Sequence, residues 1–560
     1  MKKLPLLLIS LVILAALVAP APAQAQWPTT PREFLSVSAI PDTMEAYPSI
    51  FSLAGGRTII TFFKDGAGQC YQVLSADGYT MFTVPPLIAT TAAGPYSYST
   101  KMLPTPDGGV YVVWQNIYGS PFPGTYAQRL DSLGNRLWGD AGVLIHPAHW
   151  NDFDICPDGQ GGFFAAVNTL PLTPTMDLAG QHVSLAGELL WGAAGLPLIT
   201  YLEAQQFPAV APDEQGGLYV IWEDRRPPNP GFGRIFSQRF DGQAQPLWAP
   251  ATGREIWPGS GSFRQIFPDG QHGFIVYHGG GTNWNHLARY SPEGRLRWRN
   301  DEAGAGDPAK MVAGEPGYFY FAWVEHFHWK TIYGQRVDLQ GRFHWSGPSG
   351  GAQVISPLEG AWQIIYPELD CFYRDSSFWV AEAYKVSHSP SLRFPFRIYV
   401  QALDAQANPR FGSQGLYICS QALSSHTVAN LSAATDGSDG IVTVWADRLI
   451  GSVSEEDVFA SHTNADGSFG IPPAMTVGAY SVQIKRSDSA SIVYQINAPG
   501  IVSVTLFDLL GRKINSLQDG LQAPGNHSLS LSHLSLPSGV YIVTIRVDNQ
   551  IIAGKVALIK

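Results

Sequence analysis

"YAQRLDSLGNRLW", residues 126–138, is written again as "FSQRFDGQAQPLW" at 236–248 and as "YGQRVDLQGRFHW" at 333–345. Gln, Arg, an apolar residue, Asp and a closing Trp keep their places in all three copies. With the Gln as anchor, equivalent positions fall at Gln72, Gln128, Gln181, Gln238, Ala288, Gln335, Gln401 and Ser461, spaced by 47 to 66 residues. A second phrase stands ahead of most anchors: "PDGGVYVVW" at 106–114, "PDGQGGFFAAV" at 157–167, "PDEQGGLYVIW" at 212–222, "PDGQHGFIVYH" at 268–278 and "TDGSDGIVTVW" at 435–445. The chain repeats a structural unit.

Each unit reads as a strand, a Pro-Asp-Gly turn, a strongly apolar strand, a variable loop, the Gln-Arg strand, a second turn and a strand beginning at Trp. Asp suits the turns because its carboxylate hydrogen-bonds nearby backbone, and Gly because it accepts positive φ. The run Val110-Tyr111-Val112-Val113-Trp114 has no polar alternation and fits a strand covered on both faces. A unit of three or four strands cannot cover both its faces alone. A ring of units supplies two neighbours to each, and periods of this length belong to propeller blades. The sequence therefore predicts an all-β fold, with residues 34–472 forming a β-propeller of seven or eight blades.

Gln128 and Leu130 should face one side of a blade, with Arg129 and Asp131 on the other. Trp138, Trp191, Trp248, Trp298 and Trp345 share one position in the repeat, where a large ring fills the wedge between blades. Sugar stacking is the competing reading, but a residue kept in register by every unit serves what every unit needs. The Asp of Pro-Asp-Gly is read as a turn former, since the dense oxygen spacing of a calcium loop is missing. The units resemble bacterial secreted propeller repeats over most of residues 100–350. They differ from sialidase-type Asp-boxes, because Gly134 and Trp138 are four apart and no Ser-x-Asp precedes them.

At 560 residues the chain exceeds one ordinary core, and only 14% of it is charged while 12% is aromatic. The opening "MKKLPLLLISLVILAALVAPAPAQAQW" places Lys2 and Lys3 before an apolar run from Leu4 to Val18 and then Ala23-Gln24-Ala25. This is the pattern of a secretory signal peptide, residues 1–25, cleaved after Ala25. No later segment reads as a membrane span. Removal of the leader takes the formal charge from −10 to −12, which argues against nucleic-acid or anionic-lipid partners. Cys70, Cys156, Cys371 and Cys419 would enter an oxidising compartment, where bridges and buried thiols are both open. Only Cys371 and Cys419 lie in one unit.

After a linker at 473–479, residues 480–560 change character to alternating Val, Ile, Leu and Ser, predicting five strands of a small immunoglobulin-like β-sandwich. "VTLFDLLGRKI" at 504–514, "LPSGVYIVTI" at 536–545 and the final "KVALIK" at 555–560 carry a resemblance to the type A C-terminal sorting domain of the type IX secretion system of Bacteroidetes and relatives. The resemblance rests on Asp508, Gly511, Arg512, Pro537, Gly539, Tyr541, Lys555 and Lys560. It implies the type IX machinery as a partner and a secreted or outer-surface destination by way of the periplasm. The family's Asn-Pro-Phe-Asn-like segment is replaced by "QIKRSDSAS" at 483–491.

Catalytic motifs are sparse: the chain has no HExxH, GxSxG, P-loop or dinucleotide fingerprint, and nothing in it requires a cofactor. Within Glu325-His326-Phe327-His328-Trp329, His326 and His328 share a face of an extended segment and form the one candidate metal pair. Glu223, Asp224 and Arg225 follow Trp222, echoed by Asp447 and Arg448 after Trp445, and are candidates for a binding rim. A local salt bridge is the competing reading. Three roles follow: a surface propeller that binds a glycan or protein, a hydrolase or lyase acting on polysaccharide, or a structural adhesion component. Regular units favour binding, and a cluster of Asp, Glu, Tyr and Arg at the ring's centre would favour catalysis.

Overall fold

The computed structural model describes residues 27–558 except 31–32, 39–43, 91–99, 117–122, 149–151, 170–175, 228–232, 260, 262–263, 280–284, 305, 307–308, 326–330, 348–349, 357–362, 388–395, 420–429, 448–456, 471–490, 497–499, 508–512, 523–524, 532–535, 537–538 and 548–549. Among these residues all regular structure is strand apart from turns and one short 3₁₀ position. Eight antiparallel sheets lie between Leu35 and Thr463. They are numbered here in chain order. Sheet 2 is typical: Thr100–Pro104, Val110–Asn116, Gly124–Leu130 and Val143–His146 pair in sequence order. All eight anchors lie on third strands, from Gln72 in Gly68–Leu74 to Ser461 in Asp457–Thr463.

The second strand of sheet 2 is buried at every position from Val110 to Asn116, as its unbroken apolar run requires. Eight hydrophobic clusters each combine side chains of two successive sheets, and the last joins sheet 8 to sheet 1. The sheets form a closed ring, a β-propeller. First strands of successive sheets lie against one another, so they line the axis. The final sheet consists of Ser432–Thr435, Ile441–Asp447, Asp457–Thr463 and, on its outer edge, Leu35–Ser38 from the other end of the chain. Leu35 opposes Ala460 and Ser36 opposes Phe459.

The repeated Gln has a structural task. Gln238 Oε1 accepts the backbone N–H of Arg239 at 2.9 Å and of Trp248 at 3.1 Å, while Nε2 donates to the carbonyls of Trp248, Pro250 and Ala251. Gln128, Gln181, Gln335 and Gln401 accept in the same way from their own next residue and from the residue ten positions on. The amide thus supplies partners to buried backbone where the third strand passes to the fourth. The tryptophans hold successive sheets together: Nε1 of Trp191, Trp248, Trp298 and Trp345 donates to the carbonyl of Gly242, Pro292, Leu339 and Ala405 in the next sheet. The Asp of the first turn behaves as its chemistry demands. Asp213 Oδ1 accepts from the backbone of Gln215 and Gly217, and its Oδ2 binds Arg239.

Cys70, Cys156 and Cys371 are buried thiols in three different sheets. Cys371 is unbridged, so the pairing with Cys419 that one shared unit allows is not formed. Burial pushes the Cys70 thiol up to about 12.

In the C-terminal part, Ser491–Ile496 pairs with Gly525–Ser530, and a second sheet runs Lys513–Gln522, Gly500–Phe507, Gly539–Val547, Gln550–Leu558. That is six strands where the sequence pattern gives five. Lys513–Gln522 escapes the pattern because Asp519-Gly520 inside it reads as a turn. Among the described residues of the second sheet, Val502, Val504, Leu506, Tyr541 and Val543 are buried, on alternating positions of Gly500–Phe507 and Gly539–Val547. Of the sorting motif, Gly539, Tyr541 and Lys555 lie on strands, while Asp508, Gly511, Arg512, Pro537 and Lys560 lie outside the described residues, as do the leader and the linker.

Candidate functional site

One register position on the first strands lines the axis at a common level. It holds Lys101, Asp154, Gln265, Lys310, Asp370 and Ser432, opposite Val113, Ala166, Tyr277, Ala322, Ala381 and Val444. The repeat keeps the strand but varies this residue. Asp154 accepts the backbone N–H of Val210 at 3.0 Å, Gln265 that of Met311 at 2.8 Å, Asp370 that of Ala433 at 2.8 Å and Ser432 that of Ile50 at 3.4 Å. Each of these bonds runs from one sheet to the next. Lys101 adds an ion pair to Asp154 at 3.3 Å, and Lys310 pairs with Asp370. A charged axis is thereby converted into a belt of links between sheets.

At the loop end of sheets 3 to 5 the charges gather. Glu223 Oε2 accepts from Arg264 Nη2 at 2.5 Å, and its Oε1 accepts from Gln206 Nε2 at 3.0 Å and Arg225 Nε at 3.3 Å. Arg264 and Glu223 side chains are both only 6% exposed, so the pair is desolvated and each charge depends on the other. Asp152 accepts the backbone N–H of Phe207 at 2.6 Å; burial, partly offset by that bond and by Arg264, raises its pKa to about 6. Phe207 stands on a bulge between Gln206 and Ala209 with φ of 55° and is 47% exposed. A bulky residue in the left-handed region is strained and must be held there. The Arg264 guanidinium lies 5.2 Å from its ring centroid.

The same construction occurs at Tyr47, which also has φ of 55° on a bulge between Ala46 and Ser49. Sequence reading missed Asp152, Gln206, Phe207 and Arg264. A signal existed in "AYP" at 46–48, "QFP" at 206–208 and "IYP" at 365–367, an aromatic-Pro pair within three first strands. Its spacing does not follow every unit, so the repeat search passes over it.

The candidates chosen from sequence divide. Glu223 and Asp224 do not begin a loop; both belong to the strand Leu218–Asp224 and point to opposite faces. Glu223 joins the cluster and Arg225 touches it. Asp224 is fully buried, accepts the indole N–H of Trp222 at 2.9 Å and binds Arg226 through both oxygens. Asn116 receives the Trp114 indole at 3.2 Å from the same register, which Asp447 occupies in sheet 8. In sheets 2 and 4 the polar residue two places after Trp thus receives that ring's N–H. Arg448, His326 and His328 lie outside the described residues, as do the centres of most loops between second and third strands. Among the described residues no group of three His, Cys, Asp or Glu is arranged to hold a metal.

Residues 487–560 match the family of secretion system C-terminal sorting domains. No curated protein matches the chain. Similar solved structures include a Dyadobacter fermentans protein of unknown function, 11% identical, covering 77% of this chain and 97% of that one with a TM-score of 0.37. A periplasmic gluconolactonase of Pseudomonas aeruginosa is 14% identical, covering 68% of this chain and 97% of its own with a TM-score of 0.37. A puromycin hydrolase is 13% identical, covering 76% of this chain and 62% of its own with a TM-score of 0.40. At such values the fold assignment rests on the sheets and their closure. The sorting domain directs export by type IX secretion to the cell surface or the medium. No helix among the described residues is long and apolar enough to cross a membrane.

Proposed function

We propose that the chain is a secreted or surface-displayed binding protein: an eight-bladed propeller over residues 34–472, carried outward by an immunoglobulin-like sorting domain over 480–560. The observation that carries this reading is the axial belt, in which Asp154, Gln265, Asp370 and Ser432 spend their acceptors on the next blade's backbone. The axis holds the ring together, and ligand contacts fall to loops and seams where the copies differ. Deleting 487–560 in a type IX-competent bacterium tests the address. The full chain should reach the surface or medium and the truncated chain should accumulate in the periplasm; equal distribution overturns the address.

A hydrolase or lyase acting on polysaccharide is the second reading, favoured by Asp152. A carboxyl with pKa raised to about 6 beside Arg264 and an exposed aromatic ring is suited to donate a proton, with Glu223 as a second carboxylate. Reducing-end release from polysaccharides by the exported chain, abolished in Asp152→Asn, would establish it. Binding without turnover in both proteins leaves the first reading standing.

A further inference from the structure

Between sheets 3 and 4, on the turn face, the repeat is broken twice in one place. The residue after the anchor position is Arg in four sheets. Arg129, Arg239, Arg289 and Arg336 bind Asp107, Asp213, Asp269 and Glu315 of the first turn at 2.5 to 2.8 Å. Arg129 and Arg289 continue across the seam, donating from Nη1 to the carbonyls of Leu185 and Leu339 in the next sheet. Sheet 3 has His182 instead, with Nε2 2.9 Å from Asp158 Oδ2. The shorter imidazole keeps the acidic partner and gives up the crossing.

The second change is on the facing wall. The turn residue that receives the wedge tryptophan is Pro292, Leu339 or Ala405 elsewhere, and Gly242 here. Both changes remove atoms from the same seam. They leave a cavity of about 540 Å³ bordered by Gln160, His182, Leu190 and Trp191 on one side and by Gly242 and Gln243 on the other. In sheet 8, where His462 also replaces Arg, the seam is filled: His462 Nδ1 meets the Gly470 carbonyl at 2.7 Å and the Trp27 ring lies 5.4 Å away.

We propose that this seam binds one neutral pyranose unit of a glycan, an inference that rests on the binding reading above. Leu190, half exposed, with the small part of Trp191 left uncovered, offers an apolar wall to the C–H face of a sugar ring, and Gly242 keeps the opposite wall thin. Gln160 and Gln243 bring side-chain amides that donate and accept, as hydroxyl groups require. Asp158 has its oxygens engaged within the site, by His182 Nε2 and by the backbone N–H groups of Gln160 and Gly162. Nδ1 makes no hydrogen bond among the described residues, and in the tautomer that places the N–H of Nε2 on Asp158 it is an acceptor for a hydroxyl group. An uncharged polyhydroxylated ring fits this set, and the volume lies in the range of small-ligand pockets.

The test titrates the exported full chain by calorimetry with cellotetraose, xylotetraose, maltotetraose and chitotetraose, and with polygalacturonate as the charged comparison. At least one neutral sugar should bind. His182→Arg, which restores the sibling residue and its bond to Asp158, should weaken binding at least tenfold with an unchanged melting temperature. The exposed-residue double variant Gln160→Ala/Gln243→Ala should weaken it severalfold. Binding that survives both variants overturns the site while sparing the binding function. Failure of all four neutral sugars, or a preference for polygalacturonate, overturns the ligand assignment.

Discussion

The indole Nε1 of Trp27 donates to the carbonyl of Ala76 at 2.9 Å, the bond by which Trp191, Trp248, Trp298 and Trp345 each reach the following sheet. Sheet 8 has no wedge tryptophan of its own, and the N-terminal segment supplies one. Gly78, at φ of +83°, lies so close to that ring that a Cβ would stand 2.6 Å from it. The segment therefore closes the ring twice, by Trp27 at the seam and by Leu35–Ser38 on the outer edge.

Trp27→Ala should cost about 3–5 kcal/mol, as removal of a buried Trp usually does. Denaturant unfolding measures this, and hydrogen exchange should show protection lost first in Leu35–Ser38. A cost below about 1 kcal/mol would mean that the edge strand closes the ring without its wedge.

Gln238→Ala should destabilise the protein by at least about 2 kcal/mol, because the buried N–H groups of Arg239 and Trp248 lose their acceptor. Gln238→Glu should be no better, since a carboxylate cannot donate to the carbonyls of Trp248 and Pro250. Midpoints in urea compare the two.

Glu223→Gln leaves the Arg264 guanidinium buried without its counter-charge and should cost about 3–5 kcal/mol. Adding Arg264→Met should recover part of the loss. A double-mutant cycle with no coupling between the two positions would show that they do not act as a pair.

Glu45 has no exposed surface, and burial raises its carboxyl to about 7 despite the bond from Ser38. The folded state therefore holds this proton more tightly than the unfolded chain does. The stability this contributes is full below about pH 4.5 and is lost as pH rises toward 7, on the order of 2 kcal/mol. Burial lowers the pKa of His146 to about 4 and of His278 to about 3, and stability from these groups is lost in the opposite direction, as pH falls below 6.5. The difference between wild type and Glu45→Gln isolates the glutamate: the variant should gain on the parent between pH 5 and 8 and not below pH 4.

The sequence by itself determined the unit. Its anchor Gln, Asp-Gly turns, apolar second strand and closing Trp are joined by hydrogen bonds that span about ten residues, such as Gln128 Oε1 to the Trp138 N–H. Contacts so local must be written into every copy, and they show as a period. The type IX address was equally legible, because that domain carries its own motif at 504–514 and 536–545.

Only the tertiary structure decided what lies between units. Glu223 meets Arg264 across 41 positions, Asp154 meets Val210 across 56, and Trp27 meets His462 from the opposite end of the chain. Such contacts are made by different residue types from seam to seam, at positions that the repeat leaves free to vary, so no spacing announces them. The same holds for the seam at His182 and Gly242. Two departures from the repeat, far apart in sequence, become one cavity because closing the ring sets sheet 4 against sheet 3.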